Sequence, residues 1–398
     1  MYARFAVSGA ATLAAFLVAT ASGSAGGGPG GGYSGYGPYA REARAFQWCN
    51  TGKKDGARQR ACLIDQAVRL LIRTGDPADE MPRIDRYAQR TGGYLYANCH
   101  ILFHTVGRRY GRAVQLTLAR LKNYLPHTNN PGCSAGFAHG MITYLGPQIV
   151  QIGPKGAVRQ CDEAATRYER YSCIHGLGHA YMRLFGESLH LALGWCRALG
   201  PENAVDCAQG AYHDYWISLS GYDNTRPPPH AKTSPRAVCD SQPAGFVRAC
   251  WYRAFLERPP RHTPRSAADL HAVCDGLRGL DLEGCITAAS LITSTDATRQ
   301  MAICAHLRGR LAVDCVRGVR VQSLAGAPIG IQVAFIRLCS GFDPSARSGC
   351  YRWIGKTLNV VRNGGFGFRG CRLVRSADGR AACYRGARSY RGPLETFS

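Results

Sequence analysis

The apolar residues of this chain recur at helical rather than strand spacing. Stretches such as 187–195 and 329–338 are amphipathic when drawn as helices, and no strand-like alternation of useful length separates them. Each such stretch leads into a cysteine, and a second cysteine followed by another apolar stretch comes eleven to thirteen residues later. This order predicts an all-α protein made of short helical hairpins.

The spacing of the cysteines makes the repeat explicit. Eight pairs lie eleven to thirteen residues apart: Cys49 and Cys62, Cys161 and Cys173, Cys196 and Cys207, Cys239 and Cys250, Cys274 and Cys285, Cys304 and Cys315, Cys339 and Cys350, and Cys371 and Cys383. The second cysteines, together with Cys99 and Cys133, recur at intervals of 30 to 43 residues, mostly near 35. Periods of this length are typical of helix-turn-helix arrays. We therefore predict an α-solenoid of about ten disulfide-stapled helix-turn-helix repeats.

Each predicted unit consists of a helix A, a turn and a helix B, with the disulfide joining the end of A to the start of B. A glycine often stands three residues after the second cysteine, at Gly136, Gly176, Gly210, Gly318 and Gly386. Glycine inside a helix is about 1 kcal/mol less favourable than alanine, so these glycines are expected to allow close helix contact. In general plan the array resembles Sel1 and tetratricopeptide repeats. Their signature residues are absent, so the resemblance implies an architecture and no function.

Two cysteines lack a partner at the usual distance. Ala88 and Lys122 stand eleven residues before Cys99 and Cys133. Because these two cysteines belong to consecutive units, their B helices should lie side by side, and a disulfide between Cys99 and Cys133 is expected. The alternative is a pair of free thiolates in a metal site.

Six histidines lie on the predicted B helices of four consecutive units: His100, His104, His139, His175, His179 and His213. Counted from the cysteine of helix B, three of them occupy position +6 and His104 occupies +5. The pair His100 and His104 and the pair His175 and His179 have the i, i+4 spacing that sets two imidazoles over one patch of a helix.

This stripe predicts a site for a transition metal such as zinc, copper or iron, because imidazole is a ligand for each of them. Nearby acids, Asp214, Glu163 and Glu169, are candidate partners for the ligands. The aromatic residues Tyr96, Tyr181, Tyr212 and Trp216 are candidates for the wall of the site. The alternative is that the histidines are structural and form hydrogen bonds between neighbouring helices.

The N-terminus and the cysteine content predict export. Residues 1–21 have the basic start, short apolar run and small-residue cleavage pattern of a signal peptide, and the Gly-rich residues 22–38 are expected to form a linker. The helical array then spans 39–398, with a His-rich half at 39–220 and a basic half at 221–398. Eighteen cysteines indicate an oxidising, secreted or periplasmic location.

The charge is strongly positive and uneven. The whole chain carries +23, and sixteen Lys/Arg against four Asp/Glu after residue 300 give +12 in the last quarter. This predicts an anionic partner such as a membrane surface or acidic polysaccharide, or a protein partner, without sequence-specific nucleic acid binding. The alternative is that the charge only keeps the protein soluble.

Three functions follow from these patterns. The leading hypothesis is a binding protein whose B helices line a groove with a histidine site. The second is a metal-dependent extracytoplasmic enzyme, a hydrolase or an oxidase, that uses the same histidines. The third is a structural scaffold of the cell envelope. No H-E-x-x-H motif, nucleophile elbow or P-loop is present to favour an established enzyme class.

Overall fold

The computed structural model describes residues 37–50, 56–126, 132–164, 167–217, 233–260, 262–294, 296–319, 336–361 and 369–388. The predicted signal peptide and all but the last two residues of the predicted linker lie outside these ranges.

The described part of the chain is all-helical and contains no strand. In chain order the helices are α1 (Ala40–Asn50), α2 (Gly56–Thr74), α3 (Pro77–Thr91), α4 (Gly93–Ala113), α5 (Leu118–Leu121), α6 (Cys133–Tyr144), α7 (Gly146–Asp162), α8 (Arg167–Leu184), α9 (Leu189–Ala198), α10 (Pro201–Ile217), α11 (Pro235–Cys239), α12 (Val247–Glu257), α13 (Ala267–Val273), α14 (Gly279–Ile292), α15 (Ala297–Cys304), α16 (Gly309–Arg317), α17 (Pro344–Val361) and α18 (Ala377–Arg388). A 3₁₀ turn at Cys339–Gly341 precedes α17.

Nine disulfides use all eighteen cysteines. Eight of them are the pairs expected from the spacing, with Cα–Cα distances of 5.4 to 5.8 Å. They join Cys49 to Cys62, Cys161 to Cys173, Cys196 to Cys207, Cys239 to Cys250, Cys274 to Cys285, Cys304 to Cys315, Cys339 to Cys350 and Cys371 to Cys383.

The ninth disulfide joins the two cysteines that lack a partner at the usual spacing. It connects Cys99 to Cys133, whose Cα atoms are 4.7 Å apart. These two sulfurs are therefore bonded to each other, and the alternative of a thiolate metal site does not apply.

The disulfides are attached farther along helix B than we expected. The second cysteine of the hairpin is the seventh residue of its helix in seven of the eight units: Cys62, Cys173, Cys207, Cys285, Cys315, Cys350 and Cys383. In the remaining unit, Cys250 is the fourth residue of α12. The expectation that the bridge meets the start of helix B was therefore wrong for these cysteines.

The short turn between the two helices explains this position. In the hairpin of Cys196 and Cys207, α9 ends at Ala198 and α10 already begins at Pro201. The spacing of eleven residues therefore contains a very short turn and more than one turn of helix B.

The B helices pack against one another in sequence order, from α2 through α4, α6, α8, α10, α12, α14, α16 and α17 to α18. Glycines allow this contact. A Cβ atom added to Gly136 would lie 1.9 Å from the carbonyl oxygen of His100, and one added to Gly210 would lie 1.9 Å from that of His175. The expected role of these glycines in close helix contact is confirmed.

The buried residues form one continuous cluster from α1 to α18. None of the helices in the described ranges has the length and apolar character needed to cross a membrane.

Candidate metal centre

The structure brings all six predicted histidines into one cluster. Their ring centroids are separated by 4.5 Å for His104 and His179, and by up to 6.1 Å for His175 and His213 among the neighbouring pairs. Helix α4 supplies His100 and His104, α6 supplies His139, α8 supplies His175 and His179, and α10 supplies His213.

The repeat explains why the rings meet. Residues at the same offset from a repeated cysteine point in the same direction when the B helices pack in the same way. Offsets +2 and +6 differ by only 40° around a helix, because each residue advances 100°. His175 at +2 therefore shares a face with His179 at +6.

The row of helices also curls. The ring of His100 on α4 stacks at 5.7 Å on that of His213 on α10, although α6 and α8 stand between these helices in the sequence. The ring of His104 is 5.8 Å from that of His213. A straight row of helices spaced about 8–10 Å apart would keep these rings much farther from each other.

The curl encloses the cluster, which differs from the open groove that the sequence suggested. His104, His139, His175, His179 and His213 are each at most 3 % exposed. Only His100 is half-buried, so it marks the side on which the cluster approaches solvent.

Two nitrogen–nitrogen separations among His100, His104 and His139 match those of ligands around one ion, and all three ligand atoms lie within 4.8 Å of one another. The Nε2 atom of His104 lies 3.3 Å from Nε2 of His100 and 3.4 Å from Nδ1 of His139. Zinc–nitrogen bonds of about 2.0–2.1 Å in a tetrahedron place the ligand nitrogens about 3.3–3.4 Å apart. The other nitrogen of His139 is 2.9 Å from the hydroxyl of Ser172, which leaves Nδ1 to face His104.

The remaining three rings keep nitrogens that have no hydrogen-bond partner in the part of the chain that the structure describes. These atoms are Nδ1 of His175, Nδ1 of His213 and both ring nitrogens of His179. A buried polar atom that lacks a partner is destabilising by about 1–3 kcal/mol. Such a set of atoms is expected where a ligand, an ion or ordered water belongs.

The five buried rings of the cluster are held neutral by their surroundings. Desolvation by burial, followed by repulsion from the neighbouring histidines and from Arg253 or Arg108, holds the pKa of His104, His175, His179 and His213 well below its usual value. Burial does the same to the pKa of His139. Neutral imidazoles carry the lone pair that a metal ion needs.

Two functional candidates on α12 were not found from the sequence. The Nη2 atom of Arg253 is 3.5 Å from Nε2 of His175, and Oε1 of Glu257 is 3.2 Å from Nε2 of His213. Arg253 and Glu257 also pair with each other at 3.6 Å. The sequence did contain a signal, because Arg253 stands at the +3 position that several other units give to glycine.

Arg253 and Glu257 each contact one ring of the cluster, and the two contacts have opposite effects on the lone pair of that ring. The guanidinium of Arg253 donates a hydrogen bond to Nε2 of His175. That bond occupies the lone pair of the His175 ring. The carboxylate of Glu257 accepts from Nε2 of His213 and so turns the lone pair on Nδ1 toward the cluster. Burial raises the pKa of Glu257 to about 7, and Arg253 opposes that shift.

The acids proposed from the sequence lie at different distances from the cluster. Asp214 approaches it, with Oδ2 4.0 Å from Nδ1 of His179. Glu169 is buried on α8, while Glu163 is exposed. Of the aromatic candidates, Tyr181, Tyr212 and Trp216 are buried, whereas Tyr96 is 57 % exposed and does not enclose the site.

Three groups of three histidines have ligand atoms within 4.8 Å of one another: His100, His104 and His139; His104, His179 and His213; His139, His175 and His179. Any two of these groups share a histidine. A neutral imidazole offers one lone pair, because its other nitrogen carries a proton. The arrangement therefore fits one ion at a time.

No family model, curated protein or solved structure matches this chain. Its function is therefore argued from the site alone.

Proposed function

We propose that this protein is an extracytoplasmic α-solenoid that binds one transition-metal ion in its histidine cluster. Nine disulfides fit an extracellular protein, since such bonds form and persist in oxidising compartments. The serial packing of the B helices supports the solenoid arrangement.

The observation that carries the proposal is the convergence of six imidazoles in the core. Six imidazoles packed together, five of them buried, are an unfavourable way to fill a protein interior unless they hold a ligand. We place the ion among His100, His104 and His139, where the two nitrogen separations that involve His104 match a tetrahedral site. Zinc, copper and iron all accept imidazole nitrogens as ligands, so an all-histidine site suits each of these metals.

Binding is favoured over catalysis because the cluster is enclosed. A catalytic metal keeps a coordination position open to substrate. Here only His100 is half-buried, and the five other rings are inside the core. The alternative of a metal-dependent enzyme would require a substrate to reach the ion past His100.

Elemental analysis tests this proposal. The full chain, produced in an oxidising compartment, is expected to retain about one zinc, copper or iron ion per molecule after gel filtration. His100→Ala should remove it, because that ring is a proposed ligand and its half-buried position lets the fold tolerate the change. His190→Ala, an exposed histidine outside the cluster, is the matched control and should keep the metal.

Two results would overturn the proposal. One is a wild-type protein without bound metal that also fails to take up added Zn²⁺, Cu²⁺ or Fe²⁺. The other is metal lost equally from both variants, which would place it at surface histidines.

We further propose that the basic half meets an anionic surface. Arg372, Arg375, Arg385 and Arg388 are all exposed around α18. Binding to anionic lipid vesicles should occur at low salt and weaken steeply toward 0.15 M, where exposed charges are screened beyond about 8 Å. If neither vesicles nor acidic polysaccharide bind at low salt, the charge serves solubility only.

A further inference from the structure

A second potential site lies beside the histidine cluster. A cavity of about 460 Å³ opens where α4, α6 and α8 end. Four of its lining residues are arginines: Arg108, Arg109, Arg112 and Arg183. Thr105 and Thr143 also line it, and none of the described residues around it is acidic.

The cavity is in register with the histidines. Arg108, Thr143 and Arg183 stand four residues after His104, His139 and His179, respectively. Four residues advance a helix by about 6 Å and turn it by only 40° beyond a full circle. The three helices therefore present the cluster in one layer and the cavity in the next layer toward their C-termini.

The positive charge in the cavity is only partly compensated. Arg109 pairs with Asp65 at 2.6 Å, and Arg108 donates to the hydroxyl of Thr105 at 3.3 Å. Arg112 and Arg183 have no carboxylate within 4.0 Å among the described residues, and both are exposed at the rim. These two guanidinium groups are available to a ligand.

We propose that this cavity binds a small molecule that carries phosphate or carboxylate groups. A guanidinium group offers two parallel N–H donors that match the oxygens of such an anion, and charge-assisted bonds of this kind are about twice as strong as neutral ones. Tyr144 and Leu184 supply an apolar wall for the rest of the molecule. This site does not rest on the metal, because the donors it offers are arginine side chains.

If Arg112 and Arg183 only stabilise the ends of their helices, the cavity has no affinity for a small anion. Cations near the C-terminus of a helix stabilise its dipole, and Arg112 and Arg183 lie in the last turns of α4 and α8. A role confined to the helix ends does not create affinity for a small anion. The convergence of arginines from two helices on one cavity is what favours a ligand.

Calorimetric titration of the full chain, stripped of metal with EDTA, tests the proposal. The titrants are inorganic phosphate and propane-1,2,3-tricarboxylate, at constant ionic strength set with chloride. The first identifies a phosphate ligand and the second a carboxylate ligand, and saturable binding of either one supports the site. The double variant with Arg112→Gln and Arg183→Gln should weaken that binding by about tenfold or more.

The matched control is the double variant with Arg69→Gln and Arg90→Gln, which removes two exposed arginines that do not line the cavity. Its net charge equals that of the double variant in the cavity. This control should change the anion affinity less than about twofold at an ionic strength of about 0.15 M, because distant charges are screened beyond about 8 Å there. Equal weakening in both variants would assign the binding to net charge. Absence of binding of both anions below about 10 mM would also overturn the proposal.

Discussion

The Nε2 atom of His213 lies 3.2 Å from Oε1 of Glu257, in the interior of the protein. This contact joins a histidine of the fifth predicted unit to an acid of the sixth. A carboxylate behind a histidine fixes the tautomer of the ring and raises its basicity. Glu257 thus helps to decide which nitrogen of His213 faces the cluster.

Glu257→Gln should leave the metal affinity unchanged, because His213 is not one of the three proposed ligands. The hydroxyl of Ser172, in contrast, lies 2.9 Å from Nε2 of the proposed ligand His139. Ser172→Ala should therefore weaken metal binding by about tenfold, toward the lower end of the effect known for such outer partners. Competition with a chromophoric chelator measures both affinities. A greater loss in Glu257→Gln than in Ser172→Ala would contradict the placement of the ion.

The metal-free protein should lose stability as the pH falls below about 6.5. Burial lowers the folded-state pKa of five histidines, so the unfolded chain takes up protons that the folded chain does not. Each such group contributes a slope of about 1.4 kcal/mol per pH unit, with its stabilisation complete above the unfolded pKa.

Four carboxyl groups act in the opposite sense, because burial raises the pKa of Glu80 and Asp240 as well as those of Asp85 and Glu257. The pKa values of Asp85 and Glu257 are raised to about 7 by burial, so their contributions are complete at low pH and are lost as the pH rises through 7. Because five histidines oppose them, the denaturation midpoint in urea should rise between pH 5 and 6.5. A midpoint that stays constant or falls over that range would contradict the burial of neutral histidines.

The glycine contacts that draw the B helices together are also open to test. Gly136→Ala should be destabilising by several kcal/mol, since its Cβ would lie 1.9 Å from the carbonyl oxygen of His100. Gly194→Ala is the control, because nothing lies within 4 Å of the added Cβ. Thermal unfolding should show a gain of about 1 kcal/mol from helix propensity there. Similar effects of both substitutions would contradict the close contact.

The bridge between Cys99 and Cys133 connects the two helices that carry the proposed ligands. Replacing both cysteines with serine should weaken metal binding, as well as reduce stability by about 2–5 kcal/mol. Replacing Cys371 and Cys383, which join elements at the far end of the chain, should reduce stability alone. Equal metal affinity in the two double variants would show that the bridge does not shape the site.

Much of this architecture could be predicted from the cysteine and histidine positions. A disulfide spacing of eleven residues constrains a helical hairpin locally, and equal offsets from repeated cysteines predict which side chains share a face. The helix start could not be inferred, because no clear capping residue precedes most B helices: Gly92, Gly132 and Arg278 occupy the positions before α4, α6 and α14.

The burial of the cluster and its α12 partners could not be predicted either. Whether a row of helices is straight or curled depends on the crossing angle between each pair, and those angles accumulate from many side-chain contacts. Without the curl, His100 and His213 would lie on distant helices, and nothing would place Arg253 beside His175. The arginine cavity was missed for the same reason.

Anomalous diffraction from crystals of the metal-loaded protein locates the ion itself. Data collected on both sides of the absorption edge of the bound metal should show one strong peak, about 2.0–2.1 Å from Nε2 of His100, Nε2 of His104 and Nδ1 of His139. An absent peak, or a peak at histidines outside the cluster such as His190 or His271, would contradict the account.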